Sequence, residues 1–273
     1  MAGYKSNWTE VPKGWEDPLT YAITTRDANL LETVAHAAEA GEVALAYQPI
    51  LRADTGQIAF YEGLLRIFDP AGRIIPSREF INQTEGLELG RILDCQSLEI
   101  GLAALKDTPG LRLSVNMSAR SIGYPNWMLT LQRGLEADPT VAERLILEIS
   151  ERSAMHVPEL VTYFMRDLQA RGVSFALDDF GSGYTSFRYL KDFYFDILKI
   201  DDSFTRGIAE TPDNQVLVKA LLVIAHQLDM FTVAKGVERE EDAAWMAEND
   251  IEYLQGFYFA APTLYPSWAK SNS

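Results

Sequence analysis

The stretch Val173-Ser174-Phe175-Ala176-Leu177-Asp178-Asp179-Phe180-Gly181-Ser182-Gly183 has the form of a buried strand that runs into a polar loop. A short apolar run followed by a glycine-rich turn is typical of a core strand at its end. Two adjacent carboxylates repel each other and lose hydration near a core, so they need a compensating partner, for which Mg²⁺ and Mn²⁺ are suited. The alternative is a solvated turn in which both aspartates face water or cap the next helix. This stretch alone leaves both interpretations open.

Eight runs of strand type lie along the chain, and most of them are separated by segments with helical spacing of apolar residues. This alternation predicts an α/β fold. Eight repeats without a Pro/Gly/Ser-rich linker predict one closed (β/α)₈ barrel, similar to a TIM barrel, rather than two open sheets. The predicted strands are 44–50, 57–67, 111–117, 145–150, 173–179, 196–201, 231–237 and 251–257, and the clearest helices are 80–105, 157–171 and 214–228.

Polar side chains occupy similar places in these runs, mostly close to the C-terminal end. Active sites of such barrels lie on that rim, so repeated placement in seven of eight runs predicts one shared site. Structural hydrogen bonding inside the barrel is the rival explanation for any single residue, above all Asn116 and Gln255. The residues concerned are Glu62, Asn116, Glu148, Asp178, Asp179, Lys199, Lys235, Glu238 and Gln255.

The composition is that of an acidic globular protein. The 273 residues carry a formal net charge of −15, which argues against a nucleic-acid polymer as partner, because polymer binding requires many neutralised phosphates. A small anionic ligand remains compatible if metals or local cations offset the field. The single cysteine excludes an intramolecular disulfide and a thiolate cluster, and no apolar stretch is long enough to span a bilayer. We expect a cytoplasmic protein without membrane insertion.

Six ordered motifs resemble the EAL domain, a family that hydrolyses cyclic di-GMP to linear pGpG. The resemblance extends from Tyr47-Gln48-Pro49 to Pro262, with Gly63 in place of the signature alanine. It implies a barrel domain, which we place at residues 21–270 after an N-terminal extension at 1–20. The motifs are Tyr61-Glu62-Gly63-Leu64-Leu65-Arg66, Ser114-Val115-Asn116-Met117-Ser118, Leu147-Glu148-Ile149-Ser150-Glu151, Asp178-Asp179-Phe180-Gly181-Ser182-Gly183, Leu198-Lys199-Ile200-Asp201 and Gln255-Gly256.

The resemblance implies a role for each matching residue. The family has one antiparallel barrel strand and binds Mg²⁺ or Mn²⁺ above the strand ends. Lys199 is similar to its catalytic lysine, acting with Glu62 and Asp179, and Glu151 is similar to a glutamate that braces the loop after Asp179, through which family members form homodimers. Implied ligands of a first metal are Glu62, Asn116, Glu148 and Asp178, with Asp178 bridging to a second metal that Asp179 also holds. Implied dinucleotide-binding residues are Gln48, Leu64, Arg66, Asn116 and Gln255.

The seventh strand departs from the family pattern. It reads Ala234-Lys235-Gly236-Val237-Glu238, where active members carry Ala-Glu-Gly-Val-Glu and use the first glutamate for the second metal. A protonated lysine has no lone pair to donate, and unit charges ~4 Å apart interact by about 4 kcal/mol at an effective dielectric of 20. Three outcomes are open: Lys235 pairs with Asp179 and leaves a one-metal site, it swings outward beside a weak second metal, or the site has decayed.

Three functional hypotheses follow from these alternatives. The first is a metal-dependent cyclic di-GMP phosphodiesterase whose activity Lys235 impairs. The second is a degenerate EAL domain that binds cyclic di-GMP as a receptor without cleaving it. The third is an interaction protein that neither binds nor cleaves the nucleotide, which the retained pocket residues disfavour. We expect regulation to involve a partner that the sequence does not identify.

Overall fold

The strands form one sheet in the computed structural model, which describes residues 18–183 and 190–269, with side chains from residue 26 onward. The barrel strands are apolar and largely buried, as expected where helices cover a parallel sheet. In chain order they are β1 (Val43–Arg52), β2 (Ile58–Phe68), β3 (Ile74–Pro76), β4 (Leu113–Asn116), β5 (Leu145–Ser150), β6 (Ser174–Phe180), β7 (Ile197–Ile200), β8 (Phe231–Ala234) and β9 (Tyr253–Leu254).

Eight of these strands close into a barrel in the order β1-β9-β8-β7-β6-β5-β4-β2, and β2 pairs back with β1. Strand β1 is antiparallel to both of its neighbours, whereas the other barrel pairs are parallel. The predicted barrel with one antiparallel strand is therefore confirmed, and each of the eight predicted runs overlaps a barrel strand.

Strand β3 was not predicted. It is a three-residue ribbon that pairs with the end of β2 outside the barrel. A turn holds it there, because the Asp69 carboxylate accepts the backbone N–H groups of Ala71 and Arg73 at 2.9 Å each. Three residues that end in a proline are too short to show strand periodicity in the sequence.

The helices surround the barrel. One predicted helix, 80–105, is in fact two, because the chain breaks at 85–87 between α2 and α3. Gly90 at the start of α3 packs so closely on α2 that a β-carbon there would lie 2.5 Å from the Thr84 carbonyl oxygen. The α-helices of the described residues are α1 (Pro18–Ala40), α2 (Ile81–Thr84), α3 (Glu88–Asp107), α4 (Pro125–Ala137), α5 (Glu151–Ala154), α6 (Pro158–Gln169), α7 (Asp202–Thr205), α8 (Pro212–Gln227) and α9 (Glu240–Glu248).

The hydrophobic core lies between the barrel wall and the helices. Phe164 of α6 packs edge to face on Phe175 of β6 and at a tilted angle on Trp127 of α4, and the three side chains are almost fully buried. Each such side chain stabilises the fold by about 1.5–3 kcal/mol through burial. This core fixes the strands and therefore the positions of the polar residues at their ends.

Two expectations concern the ends of the chain and the membrane. Helix α1 begins at Pro18, inside the predicted extension, and residues 1–17 lie outside the described part of the chain. Among the described residues, no helix combines the length and the apolar character that crossing a bilayer requires.

Candidate active site

The acidic residues of the predicted site meet at the C-terminal ends of the barrel strands. In the parallel ladders Asn116 pairs with Glu148, and Ser150 pairs with Asp178, so these strand ends lie at the same level. Glu62, Glu148 and Asp178 are buried and each offers one carboxylate oxygen within 4.8 Å of the other two. Like charges at this spacing need cations to compensate them.

Lys199 supplies the first of these cations from the floor of the site. Its Nζ donates to Glu62 Oε2 at 2.8 Å and to Glu148 Oε2 at 2.7 Å, and it lies 3.8 Å from Asp178 Oδ1. The side chain is fully buried. Burial lowers the pKa of Lys199, but the charges of these three carboxylates outweigh it and raise the pKa above its usual value. Lys199 is therefore a fixed ammonium beneath the acids.

The two buried glutamates have opposite pKa shifts. Burial raises the pKa of Glu62, yet the ammonium groups of Lys199 and Lys235 outweigh it and lower that pKa to about 2. Asn116 Nδ2 and Gln255 Nε2 also donate to Glu62, at 2.8 and 2.7 Å. Burial, followed by the charge of Glu62, raises the pKa of Glu148 to about 8.

An irregular strand end brings Asp178 and Asp179 to the same side. Successive side chains of a regular strand point to opposite faces. Asp179 instead has a φ of +54°, and the pairing of β6 with β7 shifts register between Leu177 and Phe180. Glu151 braces the following turn, because its Oε2 accepts the Gly181 N–H at 3.0 Å. Both aspartates consequently face one cation.

That cation is Lys235. Its Nζ donates to Asp178 Oδ1 at 2.7 Å and also to Asp179 Oδ1. Burial lowers the pKa of Lys235, but the two aspartates outweigh it and raise the pKa well above its usual value. Of the three outcomes left open by the sequence, this structure has the pairing of Lys235 with Asp179, and the same ammonium also contacts Asp178.

A cleft of about 600 Å³ opens above these residues. Three predicted residues are buried beneath the surface of the cleft: Glu148, Glu151 and Lys199. Arg66 is half-buried beside the cleft, where its Nη1 donates to the Leu65 carbonyl at 2.9 Å. Of the residues predicted for the site, those that line the cleft are Gln48, Glu62, Leu64, Asn116, Asp178, Asp179, Lys235, Glu238 and Gln255.

Several residues that line the cleft were missed in the sequence. Arg78 and Arg152 lie in short helices of three and four residues, and Arg206 directly follows α7, so their positions carry no periodic signal. Arg206 pairs with Glu238 at 3.2 Å. Asp94 also lines the cleft, and the sequence offered a signal for it, because it is a charged residue inside the apolar pattern of α3.

Asp94 fastens the loop that follows Asn116. Its Oδ2 accepts the Ser118 N–H at 2.9 Å and the Ser121 hydroxyl at 2.6 Å. Burial raises the pKa of Asp94 to about 7, although these two hydrogen bonds oppose the shift. A carboxyl group on α3 thus holds the rim segment that leads away from β4.

The donor set fits one divalent cation. Glu62, Glu148, Asp178 and the amide oxygen of Asn116 are the hard oxygen ligands that Mg²⁺ and Mn²⁺ prefer. Glu148 Oε1 is buried and has no hydrogen-bond partner among the described residues, as expected of a ligand atom. The set does not fit a second cation, because the Lys235 ammonium already holds Asp178 Oδ1 and Asp179 Oδ1.

The sequence model of the EAL domain family matches residues 31–262 of this chain. The chain belongs to the EAL domain family. One relative is the probable cyclic di-GMP phosphodiesterase PdeG of Escherichia coli K12, 29% identical over 239 residues, which are 86% of this chain and 47% of the relative. Another is the cyclic di-GMP phosphodiesterase NbdA of Pseudomonas aeruginosa, 29% identical over 243 residues, 87% of this chain and 31% of the relative. The chain spans less than half of the length of these relatives.

Solved EAL domains share the fold. The PaMucR phosphodiesterase in complex with c-di-GMP superposes with a TM-score of 0.74 at 28% identity, over 86% of this chain and 97% of the other. An EAL domain protein from Listeria monocytogenes gives a TM-score of 0.75 at 27% identity, over 85% and 93%. The FimX EAL domain from Pseudomonas aeruginosa, bound to c-di-GMP, gives 0.79 at 24% identity, over 88% and 98%, and supports the fold alone. The predicted family is confirmed.

Proposed function

We propose that this EAL domain binds cyclic di-GMP in its cleft together with Mg²⁺ or Mn²⁺, and hydrolyses it slowly to pGpG. The observation that carries the proposal is the buried cluster of Glu62, Glu148 and Asp178, with Lys199 beneath it and the cleft above it. The names of PdeG and NbdA as cyclic di-GMP phosphodiesterases, and the nucleotide in the PaMucR complex, support the same ligand.

The residues of the site would have separate roles in binding the cation and the nucleotide. Glu62, Asn116, Glu148 and Asp178 would hold the cation, which supplies Lewis acidity toward a phosphodiester when bound. Lys199 would keep Glu62 ionised and would hold both buried glutamates in place. The remaining residues proposed to hold the dinucleotide are Gln48, Leu64, Arg66 and Gln255, with Glu151 bracing the turn after Asp179 and Glu238 orienting Arg206 at the rim.

Slow hydrolysis follows from the placement of Lys235. Asp179 is one of the groups proposed for catalysis, and its carboxylate is engaged by the Lys235 ammonium. Loss of one group that stabilises the transition state of acyl transfer costs a factor on the order of 10²–10³ in rate, and we expect a loss of similar size here. If the loss of rate is large enough, the domain still binds cyclic di-GMP but its turnover is undetectable, which is the receptor hypothesis.

The experiment compares binding and turnover in one protein preparation. Calorimetry with cyclic di-GMP, in Mn²⁺ and in Mg²⁺, should report binding, and chromatography should report pGpG formed at a rate about 100-fold below that of the Lys235→Glu variant. Glu62→Gln should lose turnover, whereas Lys191→Met, at an exposed lysine, should match the wild type. Absence of nucleotide binding in both metals would overturn the proposal.

Two further expectations stay proposals. The first is a homodimer through the loop after Asp179; residues 184–189 of that loop lie outside the described part of the chain. Light scattering at increasing concentration, with and without cyclic di-GMP, measures that state, and a monomer throughout would contradict it. A regulatory partner and a cytoplasmic location are proposed from the sequence alone.

A further inference from the structure

We propose that Lys235 permanently takes the place of the second cation, so that the site binds one divalent cation and presents the lysine ammonium to a phosphate oxygen of the dinucleotide. This inference rests on the proposed binding of cyclic di-GMP and specifies how the same site works. Three independent features of Lys235 carry it: its anchored backbone, the charge it brings to the site, and an N–H donor at the cleft that has no partner within residues 18–183 and 190–269.

The backbone of Lys235 is held in place on both sides. Its N–H donates to the Ile200 carbonyl at 3.3 Å, and its carbonyl accepts the hydroxyl of Thr205. Gly236 follows with a φ of +69°, and a β-carbon there would lie 2.5 Å from the Asp202 Cβ. With the backbone fixed and Nζ held by two aspartates, an outward swing of the side chain would break both ion pairs.

The charge of the site matches one divalent cation. With a cation bound, which requires ionised ligands, Glu62, Glu148, Asp178 and Asp179 carry four formal negative charges, and Lys199 and Lys235 carry two positive charges, all within one contact network. Two negative charges remain, which one divalent cation neutralises. A glutamate at position 235 would leave four negative charges instead, the charge of two such cations.

One N–H donor of Lys235 has no partner among the residues that the structure describes. An ammonium group carries three N–H donors, and two of them serve Asp178 and Asp179. The side chain is 20% exposed and lines the cleft, whereas Lys199 is fully buried beneath it. Phosphate oxygens form strong charge-assisted hydrogen bonds with ammonium groups. The third donor is therefore placed to contact a phosphodiester that enters the cleft.

The test counts bound Mn²⁺ by electron paramagnetic resonance of the free ion, with calorimetric titration of cyclic di-GMP on the same samples. The wild type should bind one Mn²⁺ per chain at the cluster, and Lys235→Glu should bind two. Lys235→Arg, which keeps the positive charge, should bind one. With one Mn²⁺ supplied per chain, so that no second cation replaces the ammonium, Lys235→Met should bind cyclic di-GMP about tenfold more weakly than the wild type, because the ammonium contact with the phosphate is lost. Lys191→Met is the matched control and should behave as the wild type does.

The outcomes separate this inference from the function on which it rests. Two Mn²⁺ per wild-type chain, or an unchanged nucleotide affinity in Lys235→Met, would overturn the inference while binding of cyclic di-GMP still stands. Failure of every variant to bind cyclic di-GMP would overturn the proposed function, and the Mn²⁺ count would still report whether Lys235 excludes a second cation. The wild-type count needs no substitution, so it stands even where a variant fails to fold.

Discussion

Replacing Lys235 by methionine removes the ammonium and keeps most of the volume of the side chain. Asp178 is nearly buried, with a side chain 11% exposed, whereas Asp179 is 45% exposed. Removal of one partner from a buried ion pair costs about 3–5 kcal/mol, and an exposed pair is worth about 0–1 kcal/mol. Because Lys235 serves one pair of each kind and is itself partly exposed, we expect Lys235→Met to lower the free energy of unfolding by about 3 kcal/mol in metal-free buffer.

Mn²⁺ should reverse this loss. Once the lysine is gone, Asp178 and Asp179 can bind a cation directly, and a cation present at 100 times its dissociation constant stabilises the folded state by about 2.7 kcal/mol per site. The assay is urea unfolding in chelator and in Mn²⁺, for the wild type, Lys235→Met and the control Lys191→Met. The stability gained from Mn²⁺ should be larger in Lys235→Met than in the other two proteins.

Two results would refute this reasoning. Equal stability of wild type and Lys235→Met in chelator would mean that the ammonium does not compensate the aspartates. Equal gains from Mn²⁺ in all three proteins would mean that Lys235 does not compete with a cation for Asp178 and Asp179.

Three further predictions follow from buried groups. Lys199→Met should lower the free energy of unfolding by about 3–5 kcal/mol in chelator and abolish pGpG formation, because two buried glutamates lose their ammonium partner. The pKa of Asp94 in the folded state is about 7, above the ordinary 3.8, so the stability that this carboxyl contributes is fully present at low pH and is lost as pH rises. Asp94→Asn does not titrate and should therefore gain stability relative to the wild type between pH 4 and 7, by up to about 4 kcal/mol. Gly256→Ala should prevent stable folding, because a β-carbon there would overlap the Val237 carbonyl.

Each of these predictions has its own control. Lys106→Met, at an exposed lysine of α3, should leave unfolding in chelator unchanged, and a similar loss in both lysine variants would contradict the account of Lys199. A stability difference for Asp94→Asn that is constant between pH 4 and 7 would show that folding does not raise the pKa of Asp94. Gly110→Ala, where a β-carbon meets nothing within 4 Å, is the comparison for Gly256→Ala, and equal melting temperatures would contradict the predicted overlap.

The barrel could be predicted because its strands are covered by helices on the outside and packed against one another inside, so that they are apolar in sequence. The run from Val173 to Leu177 is apolar for that reason, and its end is marked by Asp178, which faces the cleft. The same contrast between apolar strand and polar end recurs at Asn116, Glu148 and Lys199. Strand β3 and the break between α2 and α3 could not be predicted, since they depend on a turn and on one close contact at Gly90.

The site could be predicted in its residue types but not in its contacts. The charge of Lys235 is enough to predict that it is not a metal ligand. Its contact with Asp178 as well as Asp179 could not be predicted, because it depends on the positive φ of Asp179. The rim arginines Arg78, Arg152 and Arg206 were missed because they lie in or at the end of helices too short to show periodicity. Arg206, for example, reaches the cleft from the end of α7, and no spacing rule links that position to Glu238.

The most direct test of the claim that Lys235 stands in for the second cation is a crystal structure with cyclic di-GMP and Mn²⁺, read by anomalous scattering at the manganese edge. We predict one manganese peak, in contact with Glu62, Glu148 and Asp178, and Lys235 Nζ within hydrogen-bond distance of a phosphate oxygen. Two manganese peaks of comparable occupancy, with Lys235 turned away from Asp179, would contradict the account.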